Sequence, residues 1–482
     1  MNISMKRKIS IYLTVIAAIA ACMLTSCIED GVTTSPSDQP AFSVDTLRMG
    51  EIYTLEGSPT RRFTVYNRHD KILNISHISL RDDNDGYFRL NVDGFSGKSF
   101  SDIEIRPNDS ILVFVEATLP ENGRDDLLEV ERHLDFITNG VTSTVVLNIQ
   151  GQDVVRYDGL DITGNTVWNA AKPYLISDTV RIAPGATLTL EAGTKVRMKD
   201  KSAFKVEGTL LASGTPDAQV EITGYRTGNV AAAIPYELMS GQWGGIYFTS
   251  TSRGNSMSHT SIRNSSDGLT LSSIESGDTP ALTLTNCQVR NTTNYIIDSY
   301  HANVRAVGCE LTDASQGILK LTGGKHIFNH CTIANYYLFT VLGGPAIQLA
   351  HLSPDDADEE SGQKPFISAD FTNTIVYGNG TEFSHGDLTG TSVTMRRCIF
   401  KSKGTDDDNF INCLWDTDPL YYTVRNEYLF DYRLKPESPA IGAADAAYDT
   451  FGFTADRYGE SVHSPADIGA YTFVAPEQQD IP

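Results

Sequence analysis

Two acidic stretches of this chain carry oxygen ligands at a spacing that could do chemistry. Asp355, Asp356, Asp358, Glu359 and Glu360 fall in one short run, and Glu382, His385 and Asp387 share a second polar gap. Hard cations are held by several carboxylate and carbonyl oxygens, so these residues form a candidate ligand or calcium rim. A Ca²⁺ ion there could bridge to the carboxylate of a uronic acid. A solvated acidic loop explains the same composition, and the two readings stand side by side. Asp406-Asp407-Asp408 is open to the same pair of readings. Asp82-Asp83-Asn84-Asp85-Gly86 lacks the ligand order of an EF-hand and reads as a solvated turn. No CxxC pair or Cys/His cluster of ligand spacing occurs, so no particular metal is specified. Tyr336-Tyr337 and Tyr421-Tyr422 could stack on sugars or simply pack. His326 and His330 lie four apart, and read as exposed residues of one strand face. Arg263, Arg290 and Lys401 occupy matching places in a repeat, while Asp298 and Asp370 are isolated strand carboxylates. No catalytic group can be placed among them.

These residues must be positioned by a repeat. Asn286-Cys287-Gln288-Val289, Gly308-Cys309-Glu310-Leu311 and His330-Cys331-Thr332-Ile333 recur with cysteine spacings of 309 − 287 = 22 and 331 − 309 = 22. Weaker copies begin at Thr260, Asn373 and Arg397. A fixed period built of strands alone, without helical patterning, predicts one coil of a parallel β-helix per repeat. Upstream, Val180-x-Ile182, Leu188-x-Leu190, Val196-x-Met198 and Phe204-x-Val206 recur at eight-residue spacing. Three such strand-and-turn units make a coil of about 24 residues. Surplus residues near Ile274–Asp278, Ser353–Lys364 and Thr381–Asp387 should leave the coils along one edge and gather on one rim. Cys287, Cys309 and Cys331 would then stack on neighbouring coils as buried thiols.

The N-terminal part reads as an address. Lys6, Arg7 and Lys8 precede an apolar run from Ile9 to Leu24 that is short for a spanning helix, which needs ~20 residues. Leu24-Thr25-Ser26-Cys27 resembles the lipobox of bacterial lipoproteins, which implies a signal peptide over 1–27 and lipidation of Cys27. Glu29-Asp30 resembles an acidic surface-export signal. Residues 28–40 read as a polar linker. Residues 41–152 show seven or eight alternating runs, such as Arg62–Tyr66 and Ser110–Val115, which predict a β-sandwich. Their order resembles Ig-like domains of the ASPM/SPD-2/Hydin type. The β-helix is expected over 160–420, with a last coil and cap over 421–482.

Gly185–Val196, Glu207–Thr215 and Gln242–Ile246 resemble the opening coils of exported right-handed parallel β-helix proteins, the pectate-lyase-like superfamily. Tyr432–Gly442 and Pro465–Tyr471 resemble the closing runs of such proteins. The resemblance covers most of 160–475 and implies an all-β chain, an Ig-like β-sandwich followed by a right-handed parallel β-helix. It also implies an asparagine ladder, which Asn264, Asn291, Asp313 and Asn335 would supply. Enzymes of this superfamily use acidic calcium ligands with a positioned Arg or Lys, or Asp residues as acid and base. The Asn-Thr-Asp and Gly-His-Gly motifs of the hydrolases are absent here.

With 38 basic against 60 acidic residues and a net charge of −22, the chain lacks the positive field that nucleic acid or an anionic membrane surface would need. The expectation is therefore a lipid-anchored outer-membrane protein, exposed at the cell surface, touching the membrane only through its anchor. It would bind a polysaccharide or a surface protein without catalysis, through the β-helix flank and loop rim. The alternative is a β-helix polysaccharide lyase or glycoside hydrolase acting on acidic polysaccharide.

Overall fold

A computed structural model describes residues 31–81, 85–231, 234–274, 277–350, 367–385, 391–426 and 428–475. The chain divides into two compact units, Met1–Asp153 and Val154–Pro482. Among the described residues no helix is long and apolar enough to cross a membrane.

The first unit is a sandwich of two five-stranded sheets. One contains Ala41–Phe42, Arg61–Tyr66, Phe88–Val92, Phe95–Gly97 and Ser110–Ala117; the other contains Thr46–Tyr53, Leu73–Arg81, Ser99–Ile105, Leu128–Thr138 and Val141–Gln152. Alternation drives it. Phe63, Val65, Val113, Val115, Leu134, Phe136, Val145 and Leu147 all face one shared core, while their neighbours in sequence face out. The ten strands exceed the seven or eight expected, because short runs such as Phe95–Gly97 pair too. The polar stretch read as a linker is also docked from Val32 onward. Val32 bridges Ile72, and the Asn139 side-chain amide donates to the carbonyls of Ser35 and Asp38.

The second unit is a parallel β-helix of ten coils, in which three sheets of ten, nine and ten strands run the length of the stack. We number coils in chain order. Coil 1 opens at Val155, five residues before the expected boundary, with Val155–Tyr157, Leu160–Ile162 and Thr166–Trp168 on sheets 1, 2 and 3. Coil 4 comprises Val220–Gly224, Ile246–Phe248 and Asn255–Ser258; coil 5, Thr260–Arg263, Leu269–Ser272 and Leu282–Thr285. Coil 6 comprises Gln288–Thr292, Tyr295–Tyr300 and Val304–Val307; coil 7, Glu310–Ala314, Gly317–Thr322 and Gly324–Asn329. Coil 8 comprises Thr332–Asn335, Ile347–Ala350 and Ile367–Thr372; coil 9, Ile375–Gly378, Phe383–His385 and Ser392–Arg396. Coil 10 closes with Ile399–Phe400 and Phe410–Ile411. One continuous core, from Ile162 to Phe400, fills the stack.

The repeated cysteine marks the corner between sheets 3 and 1. Just before it the backbone turns through a left-handed residue: His259, Asn286, Gly308, His330, Asn373, Arg397 and Asn412 all have φ between 41° and 63°. Gly308 is required, since a Cβ there would lie 2.5 Å from the Phe453 ring. The following residue donates to the carbonyl two back: Cys287 to Thr285, Cys309 to Val307, Cys331 to Asn329 and Cys398 to Arg396. Thr374 donates to Thr372 in the same way, and Thr260 to Ser258. The column therefore selects small side chains with a donor, thiol or hydroxyl, and all five described cysteines are free of disulfides.

The C-terminal part is not a last coil. A hairpin of Tyr421–Asn426 and Leu429–Leu434 folds over the outside of sheet 1, and the chain then descends along the sheet 3/sheet 1 corner. Asn373 binds it at Asp445, Asn329 at Tyr448, Asn286 at Ala455 and Gln219 at Arg457, from coil 9 back to the start of coil 4. This strap covers Ala334, Ile375 and Ile399, outward residues of sheet 1, with Tyr421, Tyr432, Leu434, Ala440, Ile468, Ala470 and Tyr471.

Candidate functional site

The outside of sheet 2 is left open by the strap, and its side chains follow from strand alternation. Ile246, Phe248, Leu269, Leu271, Ile297, Leu319, Leu321, Ile347 and Leu349 point into the core. Between them Tyr247, Thr270, Asp298, Lys320 and Gln348 stand in one outward column, each paired with the next across adjacent coils. All are half-buried. Long connections flank the column. The segments 225–245 and 336–346 approach from sheet 1, and 273–281 departs towards sheet 3. Of the inserts expected on one edge, the one near Ile274–Asp278 leaves between sheets 2 and 3, and Ser353–Lys364 lies outside the described residues. Thr381–Asp387 is a correction, since Phe383–His385 is itself a strand of sheet 2 entered from sheet 1, as 225–245 also enters it.

Polar pairing organises this face. Lys320 Nζ lies 3.1 Å from Asp298 and 5.6 Å from the centre of the Tyr295 ring. The Tyr295 hydroxyl donates to Gln348 Oε1 at 3.2 Å. Tyr247 donates to Asp267 at 2.7 Å, and Asn294 Nδ2 donates to the same carboxylate at 2.6 Å. Burial and the Asp267 carboxylate push the Tyr247 phenol well above its usual range, so this hydroxyl stays protonated and donates to Asp267. Tyr300 and His301 meet edge to face beside the column. The face therefore offers tyrosine rings, a paired Lys and Asp, and amides, which suit the apolar faces and hydroxyl edges of sugars.

The rim residues fall differently. Asp355, Asp356, Asp358, Glu359, Glu360 and Asp387 lie outside the described residues, as does Cys27. His385 is exposed at the end of coil 9, its ring stacked on Phe383. Glu382 is a correction: it is 4% exposed, and its carboxylate accepts from the backbone N–H groups of Lys401 and Ser402 and from the Ser402 hydroxyl. A carboxylate so occupied holds a turn and is not free to ligate a cation. Asp406 and Asp407 likewise cap their own loop, accepting from Cys413, Trp415, Asn409 and Phe410. Among the described residues no group of three or more His, Cys, Asp or Glu could hold a metal.

Other expectations also change. His326 and His330 are each 1% exposed, not surface residues. His326 points into the core, and burial pushes its pKa down to about 4. His330 Nδ1 meets the Asp467 carbonyl and its ring lies on Phe453, at the corner under the strap. Tyr421 is buried and Tyr422 exposed; Tyr337 is buried, with its hydroxyl 2.7 Å from Ser240. Asn264 and Asn291 do not bond along the stack. Their amides donate to the Glu237 carbonyl of the inserted segment, whereas Asn335 exchanges hydrogen bonds with Ala314 of the preceding coil and Asp313 accepts from the Tyr336 N–H of coil 8.

Tertiary packing also assembles a cluster that the linear reading did not. Arg290 Nη1 lies 3.8 Å from Glu310 and Nη2 3.6 Å from Asp313, under the hairpin. Tyr432 donates to Asp313 at 2.7 Å and Tyr471 donates to Glu310. Burial raises the Asp313 pKa more than Arg290 and Tyr432 lower it. The 22-residue period was the available signal, because it sets Arg290 opposite Thr312, between these two acids. The carboxylates are 2% exposed and bound to protein groups, so they lock the strap and present no acid to a substrate. Lys401 stands apart, donating to the carbonyls of Gly378 and Gly380.

No family model matches the chain, and no curated protein sequence matches it. Among solved structures, the chain is similar to the catalytic unit of a thermostable GH87 α-1,3-glucanase from Streptomyces thermodiastaticus, at 12% identity over 70% of this chain and 78% of that one, with a TM-score of 0.20. A family 123 glycoside hydrolase from Clostridium perfringens matches at 8% identity over 26% of each chain, with a TM-score of 0.18. At these scores neither likeness carries an argument about this chain. The parallel β-helix stands on the strand pairing itself.

Proposed function

We propose that this is a lipid-anchored cell-surface protein that binds polysaccharide, without catalysis, along the outside of sheet 2. The observation that carries the reading is the column Tyr247, Thr270, Asp298, Lys320 and Gln348, half-buried between long connections and flanked by Tyr295 and Tyr300. A rigid sheet holds these groups in fixed order, which suits a repeating ligand. The lipid on Cys27, the outer-membrane address and the Ig-like ancestry of the sandwich belong to the same proposal. A protein partner on the same face is a further outcome of the test below.

A lyase or hydrolase is the second reading. One observation favours it: Arg290 between Glu310 and Asp313 is the kind of constellation such chemistry uses. Catalysis would require the strap to leave sheet 1.

The full chain, incubated with acidic and neutral polysaccharides with calcium or with chelator, separates the readings. Retardation of one glycan in an affinity gel, lost in Tyr295→Ala, with no new reducing ends and no unsaturated product, supports binding. Turnover of any glycan overturns it. Calcium-dependent retardation would bring in the acidic residues of 355–360; retention of no glycan at all would leave a protein partner.

A further inference from the structure

A second recess lies on a different face, between the strap and the outside of sheet 3 in coils 5 and 6. It encloses about 210 Å³. Its floor is Thr283 and Arg305, in register on adjacent strands, with Thr285 and Asn286 beside them. Its wall is Phe451 and Phe453 from the strap. The wall is held in shape by Asp449, whose Oδ1 accepts from the N–H groups of Phe451, Gly452 and Phe453 at 3.3, 3.2 and 3.5 Å. Phe453 is further fixed by stacking on His330, with ring centres 4.7 Å apart.

What distinguishes the recess is its unused hydrogen-bonding capacity. Arg305 lies over Phe451, its guanidinium carbon 4.9 Å from the ring centre, and has no ion pair or hydrogen bond among the described residues. Other outward arginines of the coils find carboxylates: Arg181 meets Glu207, Arg197 meets Glu221, Arg396 meets Asp370. In a chain of net charge −22 this half-buried guanidinium has no acid beside it, and unlike Arg397, which donates to carbonyls, it has no hydrogen bond to the described residues. Buried Asn286 closes one side, its amide nitrogen donating to the Ala455 carbonyl of the strap. The hydroxyls of Thr283 and Thr285 donate to nothing described. Among the described residues no carboxylate lines the recess. Arg305, Thr283 and Thr285 are half-buried, line one cavity and keep donor and acceptor capacity that a ligand could use.

We infer that this recess binds a single acidic sugar residue, the carboxylate on Arg305, ring hydroxyls on Thr283 and Thr285, and one sugar face against Phe451 and Phe453. The guanidinium, its carbon 4.9 Å from the centre of the Phe451 ring, carries the N–H fork that a carboxylate matches. The volume lies below the several hundred Å³ of a drug-sized pocket and suits one monosaccharide unit. Since the strap supplies the aromatic wall, the site exists only when the strap is docked. It is separate from the column on sheet 2, so either can fail without the other.

The test is calorimetric titration of the full chain in detergent with D-glucuronate, D-glucose and an N-acetylated amino acid. Glucuronate should bind, and glucose should bind at least about tenfold more weakly for want of the charge-assisted contact. Arg305→Gln should abolish the preference for glucuronate over glucose, and Thr283→Val should weaken both sugars. Arg181→Gln, on the other flank, should change neither. If Arg305→Gln lowers the melting temperature, Thr283→Val carries the test alone. Three results would overturn the inference: no glucuronate binding, binding indifferent to both recess substitutions, or an N-acetylated amino acid bound as tightly as glucuronate.

Discussion

Sheets 1 and 2 are built from the same rungs, yet one outer face is covered and the other is open. On sheet 1 the outward positions of coils 8 to 10 are Ala334, Ile375 and Ile399, and the strap buries them. On sheet 2 the corresponding positions are Lys320, Gln348 and Ser384 across coils 7 to 9, and among the described residues the strap packs on sheet 1 instead. The inward residues of both sheets are alike, so the difference lies wholly in the alternate positions. An apolar outward column demands a partner at about 25 cal/mol per Å² of surface removed from water, whereas a polar one is satisfied by solvent or ligand. The molecule uses one flank to hold itself together and leaves another free to bind.

The sharpest way to break that comparison is to unseat the strap. Tyr432→Ala should cost about 3–5 kcal/mol, as for large aromatic truncations in cores, and speed amide exchange across 440–471. A loss under about 1 kcal/mol would show that sheet 1 does not need its cover. Next, Asp313→Asn leaves Arg290 without one of its two carboxylates. Breaking a buried pair by one partner should cost about 3 kcal/mol in chemical denaturation, with the effect confined to the strap and coils 6 and 7.

His326 tests the core common to both faces. Its neutral ring is buried, with a pKa near 4 against 6.5 when unfolded, so the unfolded chain takes up the proton first. Its contribution is complete above pH 6.5 and is lost as the pH falls towards 4, by about 3 kcal/mol in all. His326→Leu should flatten that part of the stability profile; an unchanged profile would place the histidine outside the core. The smallest stability effect belongs to the open face. Lys320→Ala should change stability by less than about 1 kcal/mol, because its pair with Asp298 is half-exposed, yet weaken glycan retention about tenfold. A large loss of stability there would make sheet 2 structural as well.

The legible part of the fold was the part that repeats. Cysteines 22 apart, and apolar pairs eight apart, set the coil length and the inward residues. The Cys column was legible as small and buried, but not its donor role, which shows only in the bonds to carbonyls two residues back. Glu382 looked like a rim acid because sequence cannot tell an outward carboxylate from one turned onto the next turn's amides. Residues 421–482 looked like one more coil because strands in a hairpin and strands in a coil share the same alternation.

Local pattern thus determined the β-helix, since a period of two within each strand and a fixed coil length need only neighbours in the stack. Tertiary structure alone decided where the strap lies, and with it which flank is open. Glu310 and Tyr471 are brought together, as are Arg305 and Phe451, by contacts between residues more than a hundred positions apart. No period in the sequence records such pairings, because the free energy that selects them comes from covering a whole apolar face at once.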